Sequence, residues 1–229
     1  MASPKFCREE AFELFVAQLP FLGETDALVR AAVAVSMHEL EDANPDGVAR
    51  QLDDLARRVR QRQTGVQVAA VLAHLHEVLF DEEGFAGNTA DYYNPRNSYL
   101  SSVLDTRSGI PISLVLIYKA VADRLGLKVV GINAPGHFMV RVFDGEGNLL
   151  VDPFFGGRMM NREEAFEVIE NVTQQPVPRD EALLRPASHE QWLARIITNL
   201  QMVFANQGRG NDVAAMSELQ RALAEENDG

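Results

Sequence analysis

The sequence predicts an α+β domain in which helices flank a small antiparallel sheet. Three observations lead there. The first third of the chain repeats apolar residues at helical spacing, as at Phe12, Phe15, Val16 and Leu19. The stretch around 129–151 breaks into three short apolar runs, the last two separated by the turn-forming Asp144-Gly-Glu-Gly-Asn148. The last forty or so residues return to helical spacing, at Trp192, Ile196, Leu200 and Phe204.

In order along the chain, Glu9 to Leu19 forms the first helix. Thr25 can cap a second, running to about Leu40 and rich in Ala, Val and Leu. Asn44 followed by Pro45 is an N-cap and a first-turn proline, so a third helix runs through Leu52, Leu55 and Val59. Thr64 can cap a fourth, through Val68, Val71, Leu72, Leu75 and Leu79. Residues 81–99, with Gly84, Gly87, Asn88, Asn94 and Pro95, read as a loop, long enough to suggest function. Ser98 or Asn97 can cap a short helix to Leu104. Ile112 to Leu125 is strongly apolar and closes at Gly126, as a buried helix does. Strands follow at Val129 to Asn133, Phe138 to Phe143 and Leu149 to Val151. Asn161 with Glu164 makes a capping box for a helix to about Val172. Residues 174–187 hold three prolines and no apolar period, so they read as a linker. Ser188 caps the next helix, Gly208-Arg-Gly210 breaks it, and Asn211 caps a last one through Leu223.

The 229 residues suffice for one packed domain and a small appendage. A hydrophobic share of 46% and a charged share of 24% are those of a globular chain, not a disordered one. With 33 acidic against 21 basic residues the net charge is -12, which repels phosphate backbones and argues against a nucleic-acid partner. A lone thiol, Cys7, cannot form an internal disulfide. The N-terminal residues turn acidic at once, unlike a secretory signal, and no apolar run is long enough for a membrane span, so a cytoplasmic location is expected. His74 and His76 are two apart on a helix and face different ways, and no calcium loop or phosphate loop is present, so neither metal nor cofactor is expected.

The chemistry-bearing motifs sit in the centre: Asn94-Pro-Arg-Asn-Ser-Tyr-Leu100, Arg107-Ser-Gly-Ile-Pro-Ile-Ser-Leu114, Arg124-Leu-Gly-Leu127, Pro135-Gly-His-Phe-Met-Val-Arg141 and Val151-Asp-Pro-Phe154. Together, in this order, they resemble the SirB-type branch of the transglutaminase-like superfamily, whose members often add tetratricopeptide-like helices at the C-terminus. The resemblance implies a papain-like order of elements. A nucleophilic cysteine opens a buried helix, a histidine lies on a following strand and an aspartate on the next. Thiolate attacks, imidazole moves the proton and carboxylate orients the imidazole. His137 matches the histidine and Asp152 the aspartate. Pro111 stands where the enzymes carry the cysteine.

The nearest hydroxyl to that position is Ser113, two residues on, which a helix turns about 200° away. It has a plainer use, a hydrogen bond to the preceding helical turn. Asn97 is a candidate oxyanion donor or, more simply, a helix cap. His137 and Asp152 are either a structural pair or the remnant of a cleft. The leading function is a non-catalytic transglutaminase-like module, interacting with protein or peptide or serving regulation. The alternative is a hydrolase or acyltransferase using Ser113 with His137 and Asp152.

The organisation expected is a transglutaminase-like domain over 1–173, a linker over 174–187 and a tetratricopeptide-like helix pair over 188–229. One such pair cannot bury its own apolar face. It packs on the main domain, or the chain is shortened, or it docks a partner, and the sequence does not choose.

Overall fold

A computed structural model describes residues 3–63, 65–145 and 148–227. The expected Thr64 cap and the Glu146–Gly147 tip of the hairpin turn lie outside the described residues. The fold is α+β, and the chain divides into two compact units, each built from separated stretches.

The first unit comprises Met1–Arg50, Ala90–Thr106 and Ser188–Gly229 and is helical. Its elements are α1 (Glu9–Gln18), α2 (Thr25–Ser36), the start of α3 (Pro45–Arg62), α5 (Leu100–Thr106), α8 (His189–Asn206) and α9 (Gly210–Asn227). α2 has Ala, Val or Leu at most positions and is buried over nearly its whole length, because α1, α5 and α8 all pack on it. α9 packs on α8 and α1. The C-terminal pair thus buries Trp192, Ile196, Leu200, Phe204 and Leu219 within this unit.

Caps explain several helix ends. Asn44 Oδ1 accepts from the Asp46 and Gly47 amides, as the Asn-Pro pattern predicts. Ser188 and Gln191 form a capping box. Two expectations fail. Thr25 lies inside α2, whose cap residue is Glu24, and the helix ends at Ser36 rather than near Leu40. Asn211 lies inside α9, which starts at Gly210 because the Asp212 and Val213 amides already bond the Arg209 carbonyl.

Two polar ties hold this unit where apolar packing ends. The Glu218 carboxylate on α9 accepts from three successive amides, Lys5 at 2.9 Å, Phe6 at 3.1 Å and Cys7 at 2.8 Å. Glu39, just after α2, accepts from the Tyr99 hydroxyl and from Arg209 at 2.6 Å, while His38 meets Asp212 at 2.9 Å.

The second unit comprises Gln51–Thr89 and Arg107–Ala187. It holds the rest of α3, α4 (Val68–His76), a π-helical turn (Glu77–Glu82), α6 (Pro111–Arg124) and α7 (Arg162–Thr173). β1 (Ala86–Gly87) and β2 (Ser108–Gly109) form a short parallel bridge. The main sheet is antiparallel in the order β3 (Val129–Ile132), β4 (Met139–Phe143), β5 (Asn148–Asp152), β6 (Arg158–Met160). Three of these strands match the expected segments within a residue or two. The sequence predicts no element over β6, whose three residues are too few for a periodic signal.

α6 is apolar all round and buried from Pro111 to Ala122, with β3, β4 and the turn after β5 packed on it. On one side of the sheet, Met139, Leu150 and Met160 share a core with Ala165, Phe166 and Ile169 of α7. The stretch 174–187 is tied to this core. Leu184 is buried in it, Pro186 bridges Ile132, and the Ala187 amide bonds the Gly131 carbonyl.

Candidate functional site

The site is built in the second unit, where β4 and β5 pair with Val140 opposite Val151. That register brings together what precedes β4 and what ends β5. Gly136, with φ of 68°, turns the chain so that His137 enters just ahead of β4. Asp152 is the last residue of β5. His137 Nε2 lies 2.7 Å from Asp152 Oδ2. The second carboxylate oxygen, Oδ1, accepts from the Phe154 amide at 3.0 Å, a turn that the Asp-Pro dipeptide favours. Asp152 accepting from Nε2–H fixes the tautomer and leaves Nδ1 as the acceptor of the ring.

His137 is 3% exposed and Asp152 fully buried, so solvent scarcely reaches the pair. Aromatic rings close over it. Phe155 lies roughly parallel to the imidazole at 6.0–6.1 Å, as near as Phe154, which meets it edge to face. Gly87 of β1 is where Phe154 comes down: a Cβ there would stand 2.4 Å from its ring. Gly157 is held from two sides. Its amide donates to the Asp152 carbonyl at 2.9 Å, and a Cβ would stand 2.2 Å from the Phe80 ring.

Pro111 is buried as the first residue of α6, after the extended Ile110. Ser113 is fully buried, and its hydroxyl donates to the Ile110 carbonyl at 2.9 Å. Asn97 belongs to the helical unit, while His137 and Asp152 belong to the second. It does not cap α5. Its side-chain amide donates to the Asp91 and Tyr92 carbonyls at 2.6 and 3.1 Å, bracing the loop before it.

Cys7 is also in the helical unit. Burial, helped by the charge of Glu218, pushes its thiol up to about 12, so it stays protonated at neutral pH. Among the described residues no three His, Cys, Asp or Glu side chains gather to hold a metal ion, and no helix is long and apolar enough to cross a membrane.

Sequence reasoning missed a second polar pair in this unit. His76 Nε2 lies 2.9 Å from the Tyr118 hydroxyl, with Phe80 edge to face on the imidazole and parallel to the tyrosine ring. Sequence spacing carries part of this signal: His76 and Phe80 are four apart, hence neighbours on a helix. Only the fold shows that Tyr118 of α6 meets them.

Comparison with known proteins fits this geometry. The family model for the transglutaminase-like superfamily matches residues 46–198. A Xylella fastidiosa protein described as UPF0162 is 36% identical over 199 residues, covering 85% of this chain and 71% of its own length. A Pseudomonas aeruginosa protein of the same description is 29% identical over 200 residues, covering 87% of this chain and 72% of its own. Mouse F-box only protein 21 is 35% identical over 147 residues, covering 60% of this chain but 22% of that protein. No solved structure matches. The chain belongs to the transglutaminase-like superfamily.

Proposed function

We propose that this chain is a non-catalytic transglutaminase-like module that interacts with protein or peptide and serves a regulatory role, as in the SirB-type branch with tetratricopeptide-like C-terminal helices. One observation carries the reading: His137 and Asp152 are paired, while in the family resemblance Pro111 stands where the enzymes carry their cysteine. Neither substitute can act as it stands. The Cys7 thiol is buried and protonated at neutral pH. Ser113 is buried with its hydroxyl on Ile110, and serine attacks only when a base takes its proton. Two apolar side chains near the end of β5 are exposed, Phe155 at 51%, stacked on His137, and Met159 at 58%, opposite Val151, and they suit an apolar peptide. The same stretch recurs as a minor part of a much longer mouse protein, which suits a portable module.

The test has two arms. Activated esters and thioesters, with a fluorophosphonate probe for serine, are offered to the wild type and to Ser113→Ala. Equal background turnover and no probe on Ser113 are expected. Turnover lost in a folded Ser113→Ala variant would establish the hydrolase or acyltransferase instead. In the second arm, displayed random peptides are selected on the wild type and counter-screened on Phe155→Ala with Met159→Ser. Enrichment dependent on those two residues is expected, and none at all would remove the binding half of the proposal.

A further inference from the structure

One buried polar contact lies outside the dyad in the same unit, the His76–Tyr118 pair. Tyr118 is fully buried on α6, and His76 Nε2 is the hydrogen-bond partner of its hydroxyl among the described residues. The buried hydroxyl hydrogen is satisfied when it goes to Nε2, and that arrangement needs a neutral imidazole with its lone pair there. The imidazole also forms one wall for Phe80, edge to face at 5.4 Å, and Phe80 stacks on Tyr118 at 6.3 Å. Phe80 in turn lies on Gly157, too close for any side chain, and Gly157 donates its amide to the Asp152 carbonyl. Asp152 holds His137. A continuous line of packed or bonded groups thus joins His76, the last residue of α4, to the dyad, and through Phe80 it crosses the π-helical turn that follows, an uncommon element often kept for function.

We propose that His76 is a proton-operated latch on the His137–Asp152 pair: protonating it breaks the Tyr118 contact, loosens Phe80 from Gly157 and so frees the turn that holds Asp152. The ring takes its proton from solvent at Nε2. The Tyr118 hydrogen then has no acceptor, and a charged imidazolium is left between two aromatic rings. Both are relieved when the half-buried ring swings outward. Among charged groups the ring responds to Asp81, on its own helical stretch, which favours the charged form. Burial acts more strongly and holds the imidazole below its ordinary value of 6.5. From α6 the group facing it is the Tyr118 hydroxyl, whose own ionisation burial moves out of reach. Phe80 brings no charge, and the Pro153–Phe155 turn with its two glycines carries no ionisable side chain. Since the folded form binds the proton less readily than the unfolded chain, the latch stabilises the fold above about pH 6.5. That contribution falls away as pH drops below this value toward the lower folded value.

The latch regulates the pair on which the proposed function rests, but its test needs no ligand. The amides of Gly157 and Phe154, bonded to Asp152, and the ring of His76 are followed by NMR from about pH 8 to about pH 5. In the wild type both amides should shift with the midpoint of His76, below 6.5. In His76→Phe, which keeps an aromatic wall and cannot titrate, the step at that midpoint should vanish. Tyr118→Phe serves where the first variant is unstable: it removes the hydrogen that needs Nε2, so the midpoint of His76 should move and the amide step should move with it. A step that stays at the original midpoint in either variant, or wild-type amides that ignore the titration of His76, would overturn the latch. Neither result depends on whether a peptide binds, so failure here and failure of the module reading remain separate.

Discussion

A buried polar pair is a poor stabiliser when made and an expensive one to break, and His137 with Asp152 fits that description. His137→Ala leaves a buried carboxylate with one of its two donors gone. It should lower the unfolding free energy by about 3 kcal/mol in denaturant titration. Asp152→Asn keeps an oxygen for the Phe154 amide, and its NH2 can donate to Nε2 once the imidazole takes the Nδ1–H tautomer, so its cost should be about 1 kcal/mol. Equal costs for the two would mean that charge, not hydrogen-bond satisfaction, holds the pair. The pairing itself was legible in the sequence, because a histidine before one strand and an aspartate ending the next face each other across a hairpin. The role of Ser113 was legible too, since a serine early in a helix has a carbonyl within reach. The role of Asn97 was not. A cap and a loop brace use the same residue type, and only the path of residues 88–94 decides between them.

At the level of elements, strong periodicity and capping chemistry located α1, α3, α6, α7 and α8, while short elements went unseen. β1, β2 and β6 have two or three residues each and exist because tertiary neighbours supply their partners. The turn between β5 and β6 illustrates how much of the site depends on such pieces. Gly156 and Gly157 both adopt left-handed backbone, with φ of 66° and 74°. A Cβ on Gly156 meets nothing within 4 Å, whereas one on Gly157 meets Phe80. Gly156→Ala should therefore cost about 1 kcal/mol, the penalty of the backbone alone. Gly157→Ala adds overpacking against a ring and should cost about 2–4 kcal/mol. Thermal unfolding of the two variants side by side measures the difference. A Gly157→Ala protein no less stable than Gly156→Ala would mean that Phe80 moves aside freely, and that the packing between π-helical turn and dyad is loose.

At the level of the whole molecule, the two units are interleaved along the chain in a way that local signals do not report. Sequence spacing finds α8 and α9 as helices but cannot say what covers them, since a separable pair and an integral one carry the same apolar stripe. In the fold their stripe meets α1 and α2, nearly two hundred residues earlier in the chain, and Trp192, Phe204, Phe15 and Leu28 all end below 2% exposure. The second unit ends at Ala187, so a chain stopped there removes the pair without cutting that unit. Such a chain uncovers the α8-facing side of α2 and the α9-facing side of α1, and it also removes the Glu218 carboxylate that ties Lys5 to Cys7. Isolated helices of ten to twelve residues are marginal in water once their packing is lost. The helical signal in circular dichroism should therefore fall by more than the 36 residues of α8 and α9, the sum of two 18-residue helices. Amides of α1 and α2 should lose hydrogen-exchange protection, while those of β4 and β5 keep theirs. If 188–229 is instead a separable tetratricopeptide-like pair, the loss of helix will equal the residues removed and α1 and α2 will remain protected.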